Sequence, residues 1–338
     1  MHLRAIFFAL CLPTGFCYAQ DDDTLNVAHI KSYPDHFFLW PVLKQRGLNF
    51  RIRDLEENRS VRYRPNNSYA LGVGAYVFDI SFELTFAIPF SERNRGVFGK
   101  SSARDFQINA LSRKWGADLF VQRYHGFYSD IDLSTGTLTT LPSRPDISAR
   151  NTGLTGLYVF NPEGYSLRSA FNFSERQLIS GGSFMLTGTI NTFKVDAGGA
   201  ITQVDEPDSG GALMALRYTT LSLAPGYAYT FVRDNFFASG AIMAGPAHNW
   251  IYYQKEDNSS ANDIRFNTFT SVRLGIGYST DAFFAGLNFV QQSRMVKFDH
   301  LRFTSNSSTF RLLVGFRFRE FGILKKNIAD LPGELRKI

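Results

Sequence analysis

Residues 80–90, ISFELTFAIPF, place Ile80, Phe82, Leu84, Phe86, Ile88 and Phe90 on one parity and Ser81, Glu83, Thr85, Ala87 and Pro89 on the other. Strict alternation of period two predicts a β-strand with one apolar and one polar face. Its eleven residues also match the length of a tilted strand that crosses a bilayer. The same pattern recurs along the chain as far as Phe318, which predicts one closed sheet.

Upstream, residues 37–53 read as a first, edge-like strand interrupted by Pro41 and Gly47, and residues 54–67 as a charged loop ending in Tyr63-Arg64-Pro65-Asn66-Asn67. In residues 69–78, Gly72 and Gly74 alternate with Leu71, Val73, Ala75 and Val77, so the glycines leave room inside for bulky neighbours. Strands follow at 104–113 and 116–128, the second with its parity blurred at Gln122 and Arg123, which predicts a bulge there. Residues 129–150 read as a long surface loop rich in Ser, Thr and Pro. Residues 152–160 and 165–174 read as a hairpin across Asn161-Pro162-Glu163-Gly164. Further strands are expected at 183–195, 216–232, 236–253, 272–279, 285–294 and 310–318, with a second long interruption at 198–211.

Short and long connections alternate, as do the periplasmic turns and outer loops of bacterial barrels. The expected fold is therefore all-β, a transmembrane antiparallel up-and-down β-barrel of about 12 strands, within a range of 10–14. The expected organisation is a signal peptide at 1–19, a periplasmic spacer at 20–36, the barrel at 37–318 and a periplasmic tail at 319–338.

The start of the chain sets the compartment. Arg4 precedes an apolar core at residues 5–11, and Cys17 and Ala19 are small residues placed for cleavage before Gln20, the pattern of a secretory signal. Phe16 before Cys17 and Leu10 before Cys11 argue against a lipid anchor. Both cysteines of the chain lie in that segment, so the mature protein is expected to hold no disulfide and no thiolate metal site. The formal net charge of +6 is modest and spread along the chain, which argues against nucleic-acid binding. After the signal no apolar run is long enough for a helical span. Phe at 33 and Tyr at 15 suit a barrel with aromatic girdles.

The segments Tyr63-Arg64-Pro65-Asn66, Gln122-Arg123-Tyr124-His125-Gly126-Phe127-Tyr128 and Pro225-Gly226-Tyr227-Ala228-Tyr229-Thr230 carry a resemblance to a family. Glu175-Arg176-Gln177 followed by Ser180-Gly181-Gly182-Ser183-Phe184 fits it as well. Together they resemble bacterial outer-membrane proteins known only as a domain of unknown function, over nearly the whole mature chain. The resemblance implies barrel and location, and no catalytic residue.

Candidate chemistry is sparse. Glu83, Arg168, Arg273, Arg294, Arg311 and Arg317 fall on the inferred lumen face. They are expected either to rigidify the wall through salt bridges and hydrogen bonds or to form a basic constriction for small anionic solutes. Twelve strands sit between eight, where side chains fill the interior, and sixteen, where a channel opens. Strand number thus leaves both readings open.

His125 and His248 are the candidates for a lipid or lipopolysaccharide hydrolase, which needs a base beside a nucleophile such as Ser129. Four positions along a strand separate His125 from Ser129, about 13 Å, so the favoured reading of both histidines is an interfacial girdle. Asp196, Asp205, Glu206 and Asp208 lack the spacing of a calcium loop and read as solvated. No cofactor or metal is expected. The function read from the sequence is a non-enzymatic outer-membrane barrel, a narrow pore or structural envelope protein. Its expected partners are the lipid bilayer and the barrel-insertion machinery. A scaffold working through the 129–150 loop or the tail is the remaining alternative.

Overall fold

A computed structural model describes residues 29–319 apart from 57, 67–68, 78–79, 89–97, 132–142 and 203–211. The expected signal peptide, most of the N-terminal spacer, the tail after Arg319 and Asp205, Glu206 and Asp208 lie outside the described residues. The first half contains β1 (Ile30–Ser32), β2 (His36–Asp54), β3 (Ser60–Arg64), β4 (Ala70–Val77), β5 (Ile80–Ala87), β6 (Ser102–Leu111), β7 (Trp115–Ile131) and β8 (Ser143–Val159). A short helix α1 (Leu167–Phe171) and β9 (Glu175–Gln177) follow. The long strands β10 (Gly181–Asp196), β11 (Leu213–Arg233), β12 (Phe236–Lys255), β13 (Ser260–Ser279), β14 (Phe283–Phe298) and β15 (Leu301–Arg319) complete the wall.

Antiparallel ladders join β15, β14, β13, β12, β11, β10, β8, β7, β3 and β2 in that order, and β15 pairs back onto β2 from Leu301–Asp54 to Arg319–His36. Among the described residues the ring is closed and holds ten strands, not twelve. β4, β5 and β6 lie off it. β3 pairs one half of β2 at residues 50–53, β4 pairs the other half at residues 38–44, and β5 extends β4. β6 pairs β7 below the point where β3 meets β7. No ladder joins β5 to β6 among the described residues. The sequence count treated every alternating run as a full-height stave, whereas three are short and occupy one half of the wall.

His36 and Arg319 mark one end of the barrel, called here the terminal end; the opposite end is the loop end. The alternation is honoured in the wall. Leu84, Phe86, Phe184, Ile190, Leu221, Phe266 and Phe316 stand exposed on the outer face while Glu83, Thr187, Ser222 and Arg273 point inward. β2 is a full wall strand and not an edge, because Pro41 falls where its ladder to β15 is interrupted between Leu39 and Val42. The bulge of β7 lies between His125 and Phe127, past Gln122. Gly126 there takes φ +81°, and burial passes from even to odd positions. The charged 54–67 stretch contains β3, and the expected 129–150 loop is largely strand at both ends.

Candidate functional site: the plugged lumen

The expected hairpin arm at 165–174 is not in the wall. Leu167, Ala170 and Phe171 follow helical spacing, and the Ser166 hydroxyl caps them by accepting from the Ser169 amide at 2.9 Å. Apparent alternation on either side of Ser169-Ala170 hid one helical turn. The segment enters the terminal half of the barrel as a plug. Tyr165, Leu167, Ala170 and Phe173 are fully buried there with Phe38, Trp40, Phe237 and Phe284. Phe173 stacks on Phe284 at 5.1 Å between ring centroids. Inward glycines give these rings their space: a Cβ on Gly286 would fall 2.4 Å from the Phe173 ring, and one on Gly74 2.1 Å from Trp40.

Part of the expected spacer belongs to the same closure. β1 pairs β9 through Ile30–Gln177 to Ser32–Glu175, so the chain before the first wall strand straps the plug. Tyr33 donates to Asp281 in the β13–β14 turn at 3.0 Å, and Lys31 and Arg176 pair with the same carboxylate at 2.9 and 3.2 Å. The hydrogen bond from Lys31, ahead of that from Tyr33, holds the Asp281 carboxyl below its ordinary range. Burial pushes the Tyr33 hydroxyl up to about 12.

Four of the five arginines singled out from sequence meet at this plug. Arg311 donates to the Phe171 carbonyl at 3.1 Å and pairs with Glu83. Arg317 donates to the Phe173 carbonyl at 2.8 Å while lying over Tyr33, with its guanidinium 4.4 Å from the ring centroid. Arg273 pairs with Asp118 at 2.7 Å and faces the Phe171 ring. Arg168 departs from expectation, since it sits on α1 and not on the wall, bonding Ser174 at 2.9 Å and Tyr76. Arg294 stands apart, fully buried, bonded to Gln292 at 2.8 Å and facing Phe269. The last helix carbonyl, that of Phe171, and the Phe173 carbonyl just beyond the helix are thus met by wall guanidinia.

Above the plug lies a polar layer with a cavity of about 220 Å³, lined among others by Lys44, Glu83, Asp105, Asp118, Arg273 and Arg311. Its carboxylates are taken: Glu83 by Lys44 at 2.7 Å and by Arg311, Asp105 by Arg46 at 2.7 Å and Gln122 at 3.0 Å. Nearer the loop end the interior turns apolar again. Phe50, Phe193, Tyr218 and Phe303 fill it with no exposure, and Phe50 stacks on Phe303 at 5.4 Å.

Sequence reasoning missed Lys44, Asp105, Asp118 and Glu175. The last is a fully buried carboxylate that accepts from Ser166 at 2.5 Å and Arg113 at 3.2 Å. Asp118 shares a parity with Gln122 on β7, and that common face was the available signal.

The histidines are not brought to a nucleophile. His125 is exposed on the outer face while Ser129, beyond the bulge, is 4% exposed and points inward. His248 stacks on Phe266 at 4.7 Å and beside Trp250 at 4.3 Å on the outer wall. Asp196 pairs with Lys194 at 2.9 Å, and among the described residues no three His, Cys, Asp or Glu side chains form a metal-holding group.

No curated protein matches this chain. Solved structures with a similar course include the outer membrane protease OmpT from Escherichia coli, at 9% identity and a TM-score of 0.41, over 85% of this chain and 98% of that one. The transport unit of the autotransporter AIDA-I from Escherichia coli gives 12% identity and a TM-score of 0.29, over 84% and 90% of the two chains. Ail, the attachment invasion locus protein of Yersinia pestis, gives 9% and 0.18, over 84% and 99%. At such low overlap they add nothing to what this chain's own wall and interior establish. Family membership rests on the sequence: residues 21–318 match the family described as domain of unknown function DUF4421, and the chain belongs to it.

Proposed function

We propose that this chain is an integral outer-membrane β-barrel, non-enzymatic, whose lumen is closed at rest. Of the two roles open from sequence, a narrow pore and a structural envelope protein, the second is favoured. The observation that carries this is an interior filled at both ends. The plug occupies the terminal half and the Phe50, Phe193, Tyr218 and Phe303 cluster the other.

An apolar outer face with aromatics such as Trp115, Tyr158, Tyr227 and Phe316 near the terminal end suits burial in a bilayer with that end in the periplasm. The bilayer and the insertion machinery are then the expected partners. Twelve staves would be reached in the terminal half if β5 and β6 zipped together in the membrane.

The hydrolase alternative is less favoured on this reading, because His125 and Ser129 occupy opposite faces of β7 and His248 packs on Phe266 at the outer wall. The test is planar-bilayer recording of the refolded chain from Gln20 onward. A folded, heat-resistant and electrically silent barrel is expected. Steady discrete conductance steps would overturn the closed reading and return the narrow pore.

A further inference from the structure

Five basic residues stand side by side on five neighbouring strands. Register pairs Arg104 of β6 with Arg123 of β7, Arg123 with Arg150 of β8, Arg150 with Lys194 of β10, and Lys194 with Arg217 of β11. All five are exposed on the outer face. At a strand spacing of about 4.8 Å the row runs for roughly 19 Å. Like charges directly opposite each other on a sheet repel.

Little nearby relieves that repulsion. The adjoining row toward the loop end is Ser102, His125, Ser148, Asp196 and Ala215, and that toward the terminal end is Phe106, Val121, Thr152, Thr192 and Thr219. Asp196 is the one carboxylate in these rows, and it pairs with Lys194 at 2.9 Å. Among the described residues Arg104, Arg123, Arg150 and Arg217 form no ion pair. The nearby acids Asp105 and Asp118 face inward and are committed to Arg46 and Arg273.

The offset of the row from the apolar band points to its counter-ion. Four positions along each strand toward the terminal end, Ile108, Leu119, Leu154, Ile190 and Leu221 form an unbroken apolar row on the same face. The basic row therefore lies about 13 Å beyond a lipid-facing row, with small polar and apolar residues between. Measured along the strands, that offset is close to the half-thickness of a bilayer's hydrocarbon core, about 15 Å, beyond which the headgroups begin.

We propose that Arg104, Arg123, Arg150, Lys194 and Arg217 form a binding strip for the phosphate groups of anionic lipids packed around the barrel. Guanidinium forks suit phosphate oxygens, and neighbouring phosphates separate the like charges. The strip rests on the reading that the barrel lies in a bilayer, and it adds a lipid class and the residues that select it.

The test compares thermal unfolding of the refolded chain in phosphatidylcholine bilayers with and without a bisphosphorylated lipid A. The anionic lipid is expected to raise the wild-type midpoint by about 3 °C or more. The triple variant Arg123→Gln, Arg150→Gln, Lys194→Gln should lose most of that shift, and in the neutral bilayer it should be no less stable than wild type. Arg123→Lys with Arg150→Lys keeps the charge and should retain the shift.

Equal shifts for wild type and the Gln variant would overturn the strip. A shift reproduced by inorganic phosphate in neutral bilayers would make the ligand a free anion, and one produced only by dextran sulfate would make it a soluble polyanion; either overturns the lipid assignment. Failure to insert into neutral bilayers at all would instead overturn the membrane reading, which separates the two failures.

Discussion

Arg273 of β13 and Asp118 of β7, 155 residues apart in sequence, meet at 2.7 Å inside the barrel, each almost fully buried. A buried pair contributes little over an apolar pair of the same size, but removing one partner strands a charge. Asp118→Ala is expected to lower stability by about 3–5 kcal/mol, whereas Asp118→Leu with Arg273→Met recovers most of the loss. Urea unfolding of the barrel in lipid, followed by heat-dependent gel mobility, measures both. A single variant as stable as wild type would mean that water reaches the pair.

The seat of the plug is set by a missing methyl group. A Cβ at position 286 would stand 2.4 Å from the Phe173 ring. Gly286→Ala should therefore push Phe173 off Phe284 at a cost of about 1–3 kcal/mol, and adding Phe173→Leu should restore part of it. Hydrogen exchange at the Asn172 to Ser174 amides reports the displacement directly. Unchanged protection in Gly286→Ala would mean that the plug adjusts as a body.

Acid should loosen the strap. The Asp281 carboxyl is held below its ordinary range first by the bond from Lys31. A group whose folded pKa is depressed stabilises fully above its unfolded value, about 3.9, and that contribution fades as pH falls through the lower folded value. Exchange at the β1 amides, Ile30–Ser32, should rise below about pH 4 in wild type. In Asp281→Asn it should be raised at every pH and lose that pH step. The carboxylate is 60% exposed, so the effect is local and the barrel stays folded.

Closure at two levels makes a prediction about pores. Replacing residues 165–174 by a short flexible linker removes the plug yet leaves Phe50, Phe193 and Phe303 packed at the loop end. Such a variant should stay silent in a planar bilayer. Adding Phe50→Ala, Phe193→Ala and Phe303→Ala should open discrete conductance, provided heat-resistant mobility shows the barrel still formed. Conductance from the plug deletion alone would mean that the aromatic cluster is no barrier.

Much of this was legible along the chain, and the exceptions are instructive. The long runs 216–232 and 236–253 sit in β11 and β12 almost where alternation puts them. Period two reports a face shared by neighbours in sequence, which is what a wall strand is. It misled at residues 165–174, where two short alternating stretches flank a helical turn of five residues. It misled again in the strand count, because pattern carries no information on how far up the wall a strand reaches.

The arginines make the same point. Parity placed Arg273, Arg294, Arg311 and Arg317 inside, and inside they are. What they touch was not legible, since Phe171 and Phe173 lie 140 and 144 residues from Arg311 and Arg317.

The sequence by itself determined an all-β wall with an apolar outside and a polar inside, because that depends only on which side of a strand each residue falls. Only the tertiary structure decided that the ring closes with ten strands, that a folded-in segment plugs it and that five basic residues line up across its outer face. Each of these depends on register and on contacts between residues far apart in the chain, and those are set by the packing of the whole barrel.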